Sequence, residues 1–67
     1  MNGYLNSRLY VATFENLKRD NKMFRAYNDF KAMERASKIS DEHNYGRILH
    51  IYEIHPNTFK TKRVVFS

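Results

Sequence analysis

The 67 residues include neither cysteine nor tryptophan. Without thiols, disulfides and thiolate metal centres are excluded. Glycine occurs twice and proline once. That leaves no glycine-rich phosphate loop and no Pro-rich linker. No apolar run approaches the ~20 residues of a membrane-spanning helix, so no membrane partner is expected. The start, MNGYLNSRLYVATFE, has no basic stretch followed by an apolar core and a small-residue cleavage site. No secretory signal is expected, and the expected location is the cytoplasm.

A chain of this length makes one domain, residues 1–67. Such a domain buries only about 60% of the surface its unfolded chain exposes, so its core is small.

What is abundant is positive charge, +5 net. A basic balance favours acidic partners: nucleic acid, an anionic surface or an acidic protein. The excess sits in two short segments. Lys18, Arg19, Lys22 and Arg25 outweigh Asp20, and "KTKR" carries Lys60, Lys62 and Arg63. Elsewhere acids and bases nearly cancel.

Periodicity gives the order of elements. "RLYVATFE" (8–15) alternates, with β-branched and aromatic residues, and predicts a strand. "KRDNK" (18–22) has the composition of a turn, and "KMFRAY" (22–27) returns as a short strand. "NDFKAMERASKISDEH" predicts a helix, with Asn28 as N-cap and Asp29 at the positive end of the dipole. Ala32, Met33, Ala36, Ile39 and His43 form its apolar stripe, and Gly46 is the expected stop. "RILHIYEIH" (47–55) is the strongest strand, and "KTKRVVFS" (60–67) is the last.

The expected fold is α+β: a four-stranded, mainly antiparallel sheet with one helix packed on one face (ββαββ). The expected core is Val11, Ala32, Ala36, Ile39, Leu49, Ile51 and Val65. One helix covers one face, yet the first and third strands carry apolar residues on both sides. Something should cover the second face: another copy of the chain, a different protein or unstacked bases.

Catalytic constellations are weak. In "HIYEIH", His50 and His55 point to opposite faces of a strand, and Glu53 with His55 makes a pair rather than the three or four ligands a metal needs. His43 ends an apolar stripe. Ser37 and Ser40 have no oxyanion site nearby, and Glu34 and Glu42 read as salt-bridge partners of Lys38. Neither enzyme activity nor a cofactor is expected.

Two kinds of partner remain. Phosphate contact through the basic turns, with Tyr10, Phe14, Tyr27 and Tyr52 as stacking platforms, would make a nucleic-acid-binding module. "KRVVFS" lacks the glycines of the RNA-recognition sheet signature. Protein contact would instead use the open sheet face and a basic turn.

"AYNDFKAMERASKISDEHNYGRILHIYEI" (26–54) combines a cap residue, a helix with "RAS", a glycine break and an apolar strand. In that pattern it resembles small phage-encoded accessory proteins, including single-helix, β-rich anti-CRISPR proteins. The resemblance implies a non-catalytic inhibitor that binds a host protein or nucleoprotein complex in the host cytoplasm. Many such inhibitors are acidic and imitate DNA; this chain is basic, which contradicts mimicry. The candidate contact residues are Lys18, Arg19, Lys22, Arg25, Tyr52, Lys60, Lys62 and Arg63. A homodimer through the uncovered face is a further expectation.

Overall fold

The computed structural model describes residues 7–65, leaving aside the side chains of Lys18 and Arg19. Five elements follow one another: β1 (Arg8–Phe14), β2 (Leu17–Ala26), α1 (Asp29–His43), β3 (Ile48–Ile54) and β4 (Thr61–Arg63). The strands form one sheet in the order β2-β1-β3-β4, with every neighbouring pair antiparallel. This is the expected ββαββ arrangement.

Alternation along β1 decides which side is the core. Tyr10, Ala12 and Phe14 are fully buried, while Leu9, Val11 and Thr13 between them are only half-buried. Residues directly opposite in a ladder share a face. Phe24 opposite Tyr10, Ala26 opposite Arg8 and Ile51 opposite Ala12 therefore join the inner face, and all three are buried. The Tyr10 and Phe24 rings stack with centroids 6.0 Å apart.

Helix α1 lies over this face. Ala32, Ala36 and Ser40, spaced four apart, are its buried stripe. Small side chains let the helix backbone approach the Tyr10 and Phe14 rings closely. Met33 and Ile39 flank the stripe, half-buried. The Asn28 side chain accepts from Lys31 N–H at 2.8 Å and caps the N-terminus. Asp29 accepts from the Tyr10 hydroxyl at 2.9 Å, which pins the helix start to the sheet. Burial, reinforced by that bond, pushes the Tyr10 phenol up to about 12.

Several expectations are corrected. The chain reverses at Glu15 and Asn16, not at 18–22, which belong to β2. Two hydrogen bonds fix the reversal there: Glu15 N–H to Arg47 O and Asn16 N–H to Tyr45 O, both 2.8 Å. The turn-like composition of 18–22 still has an effect. Phe14 pairs with Leu17 and Ala12 with Lys22, so residues 18–21 bulge against Thr13 alone.

The helix stops at Asn44, in the left-handed region at φ 59°, where its N–H bonds Ser40 O. Gly46 follows with φ 80°, and a Cβ there would lie 2.8 Å from the Asn16 side chain. Ser40, not His43, completes the buried stripe, and its hydroxyl donates to Gly46 O. His43 is exposed, with its ring stacked on Tyr45 at 5.1 Å.

Leu49 and Val65 are exposed rather than core. The β1–β3 ladder shifts between Thr13–His50 and Phe14–Ile48, which turns Leu49 out and lets Ile48 pack inward. Val64 is buried instead of Val65, because Val64 N–H bonds Ile51 O and continues the ladder one residue beyond β4. Val11 lies on the other face. The expected last strand, 60–67, is confined to Thr61–Arg63 as a regular element, and its end at 66–67 lies outside the described residues.

Candidate partner-binding sheet face

The second face of the sheet is built by the residues that alternate with the core. Register places Met23, Val11, Tyr52 and Arg63 in one row across the four strands. The next row holds Arg25, Leu9, Ile54 and Thr61. Thr13 and His50 lie opposite each other toward the bulged end. Among the described residues no helix packs on this side.

The arrangement has a definite chemistry. Val11, Leu9, Ile54 and Tyr52, all half-buried, occupy the two central strands. Arg25 on β2 and Arg63 on β4, both exposed, stand at its two edges, three strand spacings apart, roughly 14 Å. None of the ten residues in these rows is acidic. Glu53, the nearest carboxylate along β3, turns to the helix side and lies 3.9 Å from Arg8. The His50 and Tyr52 rings are 6.0 Å apart. Thr13 Oγ1 and His50 Nδ1 are buried and have no hydrogen-bond partner among the described residues.

The candidate contact residues divide. Arg25, Tyr52 and Arg63 share the open face. Lys22, opposite Ala12, and Lys62, opposite Glu53, belong to the helix side. Lys22 Nζ lies 5.7 Å from the centre of the Tyr45 ring. Lys60 is exposed in the β3–β4 connection. Lys18 and Arg19 are in the β2 bulge, and their side chains lie outside the described residues. The basic charge is thus spread over both sides of the sheet.

Two of the four proposed stacking platforms are unavailable, because Tyr10 and Phe14 are 0% exposed. Tyr27 is exposed on the bend before α1, and Tyr52 alone lies on the open face. The expected Glu53–His55 pair does not form. His55 Nδ1 accepts from Asn57 N–H and Thr58 N–H at 3.2 and 3.4 Å and organises its own turn. Glu34 pairs with Lys31 at 3.4 Å, not with Lys38. No group of three His, Asp or Glu residues suited to a metal occurs among the described residues.

Met23 also belongs to this face, although the sequence marks it only as part of a short returning strand. Phe59 is a feature the sequence does not mark: it is 74% exposed, at φ 59°, with its N–H bonded to His55 O. Its position after "HPNT" signalled a turn but not the exposure of the ring.

Comparison with known protein families, curated proteins and solved structures finds no match to this chain.

Proposed function

We propose that this chain is a non-catalytic binding protein that docks a protein partner through its open sheet face. In this reading it works as a small phage-type inhibitor, occupying a surface of a host protein or nucleoprotein complex in the host cytoplasm. The observation that carries the reading is the composition of the face: an aliphatic centre with one tyrosine, arginines at both edges and no carboxylate. Protein interfaces have this anatomy, an apolar centre inside a polar rim, with Tyr and Arg supplying the strongest contacts.

The matching partner surface is apolar with acidic groups around it. A second copy of this chain fits poorly, because a face-to-face dimer would bring arginines together with no acid between them. Single-stranded nucleic acid fits less well than a protein. Base stacking needs several aromatic faces, and Tyr10 and Phe14 are in the core.

The test is capture from host lysate with and without nuclease, using the wild type and the variants Tyr52→Ala, Arg63→Ala, Lys22→Ala and Lys62→Ala. The expected result is one discrete protein that survives nuclease, is lost with Tyr52→Ala or Arg63→Ala, and tolerates the two lysine changes. A hot-spot truncation of at least ~2 kcal/mol lowers affinity about 30-fold. Material that disappears with nuclease and weakens with the lysine variants would replace this reading with nucleic-acid binding. A stable homodimer broken by Tyr52→Ala would replace it with self-association.

A further inference from the structure

Strand β2 is an edge of the sheet, with β1 as its single neighbour among the described residues. Every second residue of such a strand turns its N–H and C=O outward, unpaired. Helix α1 begins three residues after β2 ends and runs back over the sheet. Its Lys31–Lys38 flank faces the C-terminal end of β2. Between the two lies a groove of about 390 Å³. Ala26 and Tyr27 line it from the strand end, and Lys31, Arg35 and Lys38 line it from the helix.

The charge of this groove is one-sided. Lys31, Arg35 and Lys38 recur at helical spacing and share a flank. Arg25 also borders the groove at the strand end, but its side chain belongs to the open face. Glu34 is the lone carboxylate lining the groove, and it is held 3.4 Å from Lys31. Arg25, Arg35 and Lys38 have no ion pair among the described residues. Arg25 instead reaches the Ser7 hydroxyl at 3.4 Å.

We infer that this groove is a second binding site, which takes an acidic polypeptide segment in extended form as an added strand beside β2. The open backbone groups of β2 pair with a peptide backbone. The alternate side chains of the added strand that point up beneath the helix meet Lys31, Arg35 and Lys38, which select carboxylates. Nucleic acid would satisfy the cations but not the strand edge. The site is separate from the open face, apart from Arg25 at their common border, and does not rest on the reading given above.

The probe is a short, capped, labelled peptide in which glutamate alternates with threonine, added to the full chain at low salt. Its counterparts carry lysine for glutamate, or are single-stranded oligonucleotides of equal charge. The expected result is saturable binding of the acidic peptide alone. Amide shifts should fall at 22–27 and 31–38, and alternate β2 amides should gain protection from hydrogen exchange. The double variant R35E/K38E should weaken binding at least about tenfold, the loss of one charge-assisted contact of ~1.4 kcal/mol. R35Q/K38Q gives the same direction if charge reversal disturbs the helix. Tyr52→Ala should leave peptide binding unchanged.

Three outcomes would overturn the proposal. Binding without added protection on β2 would leave only a diffuse cationic surface. Preference for the oligonucleotide would make the groove a phosphate site. Shifts centred on Val11 and Tyr52 would move the peptide to the open face.

Discussion

Replacing Tyr10 by phenylalanine tests how the helix is tied to the sheet. The Tyr10 ring is fully buried and its hydroxyl donates to Asp29 Oδ1 at 2.9 Å. Phenylalanine keeps the ring packing against Phe24 and removes the hydroxyl, with its bond to Asp29 and its contact with Arg8. A hydrogen bond to a charged acceptor contributes about 1.5–3 kcal/mol. Asp29 is half-exposed, so water replaces part of the loss, and the net cost at neutral pH should be about 1–2 kcal/mol. In a domain of this size that lowers Tm by roughly 4–15 °C.

The pH dependence makes the test specific. The phenol is raised from 10.0 in the unfolded chain to about 12 in the fold, chiefly by burial and then by Asp29. The folded state thus favours the neutral phenol. The associated stability is fully present below pH 10 and is lost as pH rises from 10 toward 12. The loss is on the order of 2–3 kcal/mol. Tyr10→Phe lacks this titration, so the difference between the two proteins should shrink above pH 10 and then reverse. Urea denaturation of both proteins at a series of pH values measures it, because every other residue is common to the two and cancels in the difference. Equal stability at pH 7 with identical alkaline slopes would refute both the bond and the burial argument.

Gly46→Ala should destabilise the fold by about 1–3 kcal/mol in chemical denaturation, because it combines a positive φ with a close approach to Asn16. Asn16→Gly in the same chain should recover the steric part and leave the backbone part. Ala36→Leu should cost about 1–3 kcal/mol or loosen the helix, visible in near-UV dichroism, since residue 36 lies fully buried between helix and sheet. Val65→Ser should change stability by less than about 0.5 kcal/mol, whereas Val64→Ser should cost about 1–3 kcal/mol, reversing the order expected from the sequence.

Local signals were legible where they act locally. The cap at Asn28, the stripe through Ala32 and Ala36 and the alternation of β1 each follow from neighbours a few residues away, and each reappears in the fold. Composition misled where a distant contact won. Residues 18–22 look like a turn, but the reversal occurs at Glu15 and Asn16 because Tyr45 and Arg47 supply carbonyls there. Asn44 ends the helix in place of Gly46 for a related reason, since the glycine is needed where the chain passes Asn16.

By itself the sequence determined the element order, the fold class, the positive charge and the surplus of apolar residues for a single covered face. These depend on propensity, periodicity and counting. Tertiary structure alone decided which charges meet. Ladder register set Arg25, Tyr52 and Arg63 on one face and sent Lys22 and Lys62 to the other. The return of α1 from the end of β2 gathered Lys31, Arg35 and Lys38 beside a strand that is an edge of the sheet among the described residues. A one-residue shift in pairing turns a side chain to the opposite face, and the irregularity at Leu49 comes from such long-range pairing with β1.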